Sequence, residues 1–244
     1  MTETFEQFAS IFAKIFEING LFAYSGSDTA RKFYDFARLL SDVGEKTNLT
    51  AINTTADTVL KHFADSLIAA GMFAHGASVI DIGCGAGFPS IPLAIVRPDL
   101  RIVSLDSTGK KVDFVKEAAN KLELENVSPV CARAEEFSAD HREKFDFATA
   151  RAVSRLNILC ELSLPLVKIG GSLIAMKARD GQAEQAEAKK GIAELGGKIK
   201  EASTLTLTSP GGEEFYRYII NVEKISNTPA KYPRPYAKII KKPL

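Results

Sequence analysis

Three glycines at alternate positions, Gly83, Gly85 and Gly87, follow the short apolar run Ser78-Val79-Ile80-Asp81-Ile82. An apolar run bounded by glycines predicts a buried parallel strand. Lacking a Cβ, glycine lets the loop turn tightly and lets a ligand approach the backbone. Pro89 to Val96 follows as a predicted helix, in whose first turn Pro92 is tolerated. Strand, loop and helix in this order place a ligand at the carboxyl edge of a doubly wound sheet. The spacing is G-x-G-x-G, whereas a dinucleotide fingerprint requires glycine or alanine where Phe88 stands. A turn that binds no ligand is the plain alternative for a glycine loop alone.

Other residues fall where they can serve that loop. Asp106 ends the run Arg101-Ile102-Val103-Ser104-Leu105, about 20 residues past the glycines, where a carboxylate can take both ribose hydroxyls. The alternative is a helix cap for the segment from Thr108. Arg133-Ala134-Glu135-Glu136-Phe137 follows a third predicted strand and reads either as a loop that borders a base or as a solvated acidic loop. Arg151, at the end of a fourth strand, points to the same crevice, and Lys177 ends a fifth. His62, Asp65 and Ser66 share one helix face if the segment is helical. A nucleophilic serine in mid-helix lacks an oxyanion hole and an exposing turn. A hydrogen-bond cluster bracing helices against the sheet is the better reading of this trio.

The elements that must position these residues divide the chain. Residues 1–75 carry helical periodicity without strands. Phe5, Phe8, Phe12, Ile15 and Phe16 mark one helix, and Phe33, Phe36, Ala37 and Leu40 mark a second that ends near Gly44. Val59, Leu60, Phe63, Leu67 and Ile68 mark a third over 55–71. These aromatics predict a helical core rather than a cofactor stripe. From Ala77 strands alternate with helices, with a helix over 154–166 and a fifth strand from Ser172 to Met176 entered through Gly170-Gly171. Gln182 to Leu195 predicts a solvated helix. Two last strands, 198–207 and 214–222, form a hairpin through Ser209-Pro210-Gly211-Gly212. The expected division is a helical extension (1–75), an α/β domain (76–225) and a basic tail (226–244).

Composition excludes several classes. Hydrophobic content of 45% and charged content of 25% over 244 residues suit a soluble globular enzyme. No apolar run approaches the length of a membrane span, and the acidic N-terminus lacks signal-peptide order. The three cysteines and three histidines are scattered, form no metal-ligand or disulfide pattern, and suit a cytoplasmic protein. Net charge is +1, but Lys224, Lys231, Arg234, Lys238, Lys241 and Lys242 occupy the C-terminal stretch with no acid among them. This tail is either a solvated end or a phosphate contact.

The G-x-G-x-G loop, with Asp81 inside its strand, resembles that of S-adenosylmethionine-dependent methyltransferases. Their cofactor has no phosphate and needs backbone room for its amino-acid end. The fourth-strand exit, Thr149-Ala150-Arg151-Ala152, lacks the D/N-P-P-Y/F motif of exocyclic-amine methylation. Cys160 is not in the Pro-Cys setting of C5-pyrimidine chemistry. An acceptor that is already nucleophilic remains: a purine N7, or an oxygen or amine on a small molecule.

Together, Asn48-Leu49-Thr50-Ala51-Ile52, His62-x-x-Asp65-Ser66-Leu67, Asp81 through Leu93, Leu105-Asp106-Ser107, Ala134-Glu135, Ala150-Arg151-Ala152, Lys231-Tyr232-Pro233-Arg234 and Lys242-Pro243-Leu244 resemble the bacterial small-subunit rRNA methyltransferase G family, also called glucose-inhibited division protein B. The resemblance implies a class I, Rossmann-like α/β methyltransferase fold with a mostly parallel sheet. It implies methyl transfer from S-adenosylmethionine to a guanine N7 in 16S rRNA, on the small ribosomal subunit or an assembly intermediate. By resemblance, Gly83 and Phe88 line the cofactor site, Ala134-Glu135 borders the adenine and Arg151 faces the crevice. With Asp106 from the strand-end reading above, the expected cofactor site comprises Asp81, Gly83, Gly85, Phe88, Asp106, Ser107, Ala134, Glu135 and Arg151. No residue is assigned to the chemical step, and Arg151 and Lys177 are candidates for positioning and for phosphate contact. Ser90 and Ala178 depart from the family, which commonly has glycine at both places. The expected enzyme is a monomer with no membrane partner. Competing expectations are a small-molecule methyltransferase with a helical lid, a nicotinamide oxidoreductase (opposed by Phe88), and a non-catalytic RNA-binding or assembly factor.

Overall fold

A computed structural model describes residues 3–47, 54–178 and 180–244, with side chains for all of these except 43–47. The expected motif Asn48-Leu49-Thr50-Ala51-Ile52 lies outside the described residues. Strands β1 (Ser78–Ile82), β2 (Arg101–Asp106), β3 (Val127–Cys131), β4 (Phe145–Arg151) and β5 (Val167–Lys177) run parallel. The hairpin β6 (Gly197–Thr208) and β7 (Glu214–Lys224) completes a seven-stranded sheet of order β3-β2-β1-β4-β5-β7-β6. β7 pairs antiparallel with β5, so β6 forms the outer edge.

Register aligns the chemistry. Ile82 pairs with Leu105, Asp106 with Cys131, and Arg151 with Met176. The glycine loop, Asp106, the β3 exit and Arg151 therefore emerge along one carboxyl edge, where the order reverses between β1 and β4.

Side chains alternate between two cores. Val79 and Ile102 belong to one, Ile80 and Leu105 to the other. The first core is continuous with helices α1 (Phe5–Ile18) and α2 (Ser27–Thr47) and includes the fully buried Phe8, Phe12, Phe16, Phe33, Phe36 and Phe63. The helical aromatics are thus core, as their spacing predicted. Helices α5 (Ser90–Val96) and α6 (Gly109–Lys121) pack on the same face. Helices α7 (Ala134–His141), α8 (Leu156–Ser163), α9 (Gly181–Glu194) and α10 (Tyr236–Lys241) contribute to the second core.

Several boundaries differ from expectation. α2 runs to Thr47 rather than ending near Gly44. The single helix expected over 55–71 consists of α3 (Thr55–Asp57), a π-helix (Thr58–Ala64) and α4 (Asp65–Leu67). The carbonyls of Lys61 and His62 there accept from Arg151, and a side chain entering the helical ladder is a known cause of such distortion. Gly170 and Gly171 lie within β5, not before it, because Gly171 lets the strand approach the Asp146 carbonyl. A Cβ there would lie 2.4 Å from that oxygen. The helix expected from Ser154 begins at Leu156. The predicted loop after β3 is the first turn of α7.

Candidate functional site

Gly83, Gly85 and Gly87 have φ of +70°, +57° and +88°, a region that glycine adopts without strain. Gly83 and Cys84 donate their amides to the Leu105 carbonyl at 2.7 and 3.0 Å, tying the loop to β2. At Gly83 the requirement is also steric, since an added Cβ would sit 2.9 Å from Val153. At Gly87 it would sit 2.6 Å from Ile91 in α5. Behind the loop lies Asp81, fully buried, accepting from the Ser90 amide at 3.1 Å. Burial pushes its carboxyl up to about 7. Ser90, which supplies that amide, is fully buried beside it.

The loop forms one wall of a cavity of about 500 Å³. Ile82 and Gly83 line it from β1, Leu105, Asp106, Ser107, Thr108 and Lys111 from β2 and α6, and Ala132, Arg133, Ala134 and Glu135 from β3 and α7. Ala152, Val153, Ser154, Leu162 and Tyr236 close it. Asp106 Oδ2 accepts from Gly85 at 3.0 Å and Oδ1 from Thr108 at 2.9 Å. It does not cap α6, whose N-cap is Thr108. Each carboxylate oxygen retains acceptor capacity for a hydroxyl. At the far side, Ala134 and Glu135 open α7, and the next two amides, of Glu136 and Phe137, donate to the Arg133 carbonyl.

A second cavity of about 520 Å³ shares Ala152, Val153 and Ser154 with the first. Its walls carry four cations, Lys61, Arg151, Lys177 and Arg217, and three acids, Asp65, Asp180 and Glu184. Asp65 accepts from Arg151 at 3.0 Å and from Arg217 at 2.6 Å, joining α4 to β4 and β7. Lys177 binds Glu184 at 2.8 Å and the Ser154 carbonyl at 2.5 Å. His62 stacks on Phe88, ring centroids 4.7 Å apart, with Arg151 above the same ring. Desolvation lowers the His62 imidazole to about 4, and Arg151 acts in the same direction. Ser66 donates to the His62 carbonyl at 2.7 Å and lines neither of these two cavities. The trio therefore braces the helical segment, with no nucleophile among its members.

The structure gathers Gly83, Asp106, Ser107, Ala134 and Glu135 around the first cavity. Asp81 and Gly85 support that wall from behind. Phe88 and Arg151, expected beside them, stand elsewhere: Phe88 packs against His62 and Phe36, and Arg151 faces the second cavity. Arg151 and Lys177, expected to meet phosphate, are both in internal ion pairs. Three of the six C-terminal cations are likewise occupied: Lys224, at the end of β7, is fully buried beside Glu143, Lys231 pairs with Glu194, and Arg234 pairs with Glu161. Lys238, Lys241 and Lys242 are exposed. Val153, Leu162, Arg217 and Tyr236 carry no sequence signal that marks them as cavity residues. Only their tertiary positions do.

The first cavity fits S-adenosylmethionine on its own features: a Cβ-free loop for the amino-acid end, a strand-end carboxylate for ribose hydroxyls, and an apolar slot of Leu105, Ala132, Ala134 and Leu162 for adenine. The O-methyltransferase of Bacillus cereus, solved in complex with SAH, superposes with a TM-score of 0.57 at 19% identity over 91% of this chain and 100% of that one. The precorrin-6y methyltransferase of Geobacter metallireducens gives 0.52 at 18% identity over 73% and 91%. These likenesses establish the class I methyltransferase fold. The sequence profile of rRNA small subunit methyltransferase G matches residues 29–209. Ribosomal RNA small subunit methyltransferase G of Brevibacillus brevis is 44% identical over 99% of both chains. That of Staphylococcus carnosus is 45% identical over 88% of this chain and 90% of its own. With this profile matching most of the chain and relatives 44 and 45% identical over 99% and 88% of it, the chain belongs to the rRNA small subunit methyltransferase G family.

Proposed function

We propose that the protein transfers the methyl group of S-adenosylmethionine to N7 of a guanine in 16S rRNA, on the small ribosomal subunit or its assembly intermediate, acting as a cytoplasmic monomer. The observation that carries this reading is the pair of adjoining cavities at the sheet's carboxyl edge, separated by residues 152–154. One suits the cofactor. The other mixes cations and carboxylates, which suits a base carrying acceptors at O6 and N7 and donors at N1 and N2. The division into extension (1–75), catalytic domain (76–225) and tail (226–244) is kept as part of this proposal, the extension helping to wall the acceptor cavity through Lys61, His62 and Asp65.

When bound, S-adenosylmethionine would supply an electrophilic methyl: the N7 lone pair would form the N–C bond as the C–S bond breaks and its electron pair returns to sulfur, leaving neutral S-adenosylhomocysteine and a cationic 7-methylguanine. Guanine N7 has no proton to lose, so the chain needs no general base. Asp106 and the glycine loop hold the cofactor. Arg151 and Lys177, fixed by Asp65 and Glu184, shape the acceptor side. Rate enhancement then comes from orientation and exclusion of water. The target base must be presented from a loop or flipped out of a stack.

The test is transfer of labelled methyl to small subunits lacking the modification, with the label mapped. A single labelled guanine N7, abolished by Asp106→Ala, is the expected result. Cofactor binding without label on subunits or naked rRNA would move the acceptor to a small molecule. Absence of cofactor binding would remove the enzyme reading.

A further inference from the structure

The C-terminal segment folds back onto the sheet. Arg142 donates to the carbonyls of Thr228, Pro229 and Tyr232. Tyr232 is buried, and its hydroxyl donates to Glu194 at 2.5 Å. Arg234 gives its backbone amide and Nε to Glu161 Oε1 at 2.9 and 2.8 Å, and a terminal nitrogen to Oε2 at 2.5 Å. Glu161 is fully buried, so this is an internal, multiply bonded pair. Beyond it, Ile239 is fully buried in the second core.

Tyr236 lies between these anchors. The residue is 36% exposed and lines the rim of the first cavity. The Arg133 guanidinium sits 5.6 Å from its centroid. The position along the cavity follows from the other walls. The glycine loop marks the amino-acid end and Asp106 the ribose. The remaining end, formed by Ala132 to Glu135, is where the base must lie, and Arg133 places Tyr236 there.

We propose that Tyr236 is a cofactor-binding residue whose ring covers the adenine of S-adenosylmethionine, and that the C-terminal segment is the strap that holds it in place. The assignment rests on the cofactor reading above and adds to it a wall from the far end of the chain. An aromatic ring on a base is a sequence-independent and substantial contact.

Calorimetric titration of the full chain with S-adenosylhomocysteine tests it without any turnover. Tyr236→Ala weakens binding about tenfold, within the range of base–aromatic stacking, while Tyr236→Phe stays within about twofold because the ring is kept. 5′-Methylthioadenosine, which lacks the amino-acid end, loses the same factor on Tyr236→Ala. Melting temperatures without ligand match among the variants, since the ring is only partly buried. Wild-type affinity in Tyr236→Ala would overturn the proposal, as would a loss for S-adenosylhomocysteine that methylthioadenosine does not share. Failure of the wild-type chain to bind either ligand would instead overturn the cofactor reading, and this assignment with it.

Discussion

Asp106 is the residue where local and tertiary demands meet. It accepts two backbone amides, from Gly85 and Thr108, and still faces the cavity. Asp106→Asn keeps the shape but removes the charge, and is expected to weaken S-adenosylhomocysteine binding about tenfold by calorimetry, as loss of charge-assisted hydrogen bonds does. Gly83→Ala is expected to lose at least as much, because the methyl meets Val153 and the backbone is left-handed. His62 supplies a stability signature. Its folded imidazole titrates near 4 against an unfolded value near 6.5, so the unfolded chain binds more protons between these values. Stability therefore falls as pH drops from about 6.5 to about 4, by roughly 3 kcal/mol at most. His62→Gln removes this dependence, which urea midpoints at pH 7 and pH 4.5 would reveal. Asp81 works with the opposite sign, its raised carboxyl favouring the folded state at low pH and losing that contribution as pH rises toward 7. An unchanged acid slope in His62→Gln would remove His62 as the source.

Among elements, one carboxylate of the helical extension joins two strands of the sheet. Asp65 in α4 holds Arg151 of β4 and Arg217 of β7, and the π-helix before it offers two carbonyls to the same Arg151. Asp65→Ala strands two partly buried guanidinium groups, and about 3 kcal/mol of destabilisation in urea unfolding is expected. A loss under 1 kcal/mol would mean the arginines find other partners. The glycine loop, by contrast, was readable residue by residue. Its backbone conformation is local, and glycine at alternate positions announces it. The π-helix was not readable, since nothing in Thr58 to Ala64 departs from an amphipathic pattern and its carbonyl partner lies some 90 residues away.

At the scale of the molecule, net charge of +1 conceals where the free cations are. Arg151, Lys177, Arg217, Lys224, Lys231 and Arg234 all have internal carboxylate partners. RNA attraction from the tail is left to Lys238, Lys241 and Lys242. Replacing these three with glutamine is expected to reduce the slope of log affinity against log salt by about 2, the counterion release of three contacts to single-stranded RNA. Filter binding of small-subunit rRNA across a salt series measures it. An unchanged slope would place RNA contact on another face.

The sequence by itself determined the alternation of strands and helices, the glycine loop and the acid ending β2. These are properties of backbone preference and of position along a strand, which neighbouring residues dictate. Tertiary structure decided which charges remain free and which side chains share a cavity. Arg217 meets Asp65 across 152 residues and Arg234 meets Glu161 across 73. Such pairings depend on which strand edges and helix faces the sheet order brings together. That is why Phe88 and Arg151 do not line the first cavity, and why Tyr236, read as part of a basic tail, does.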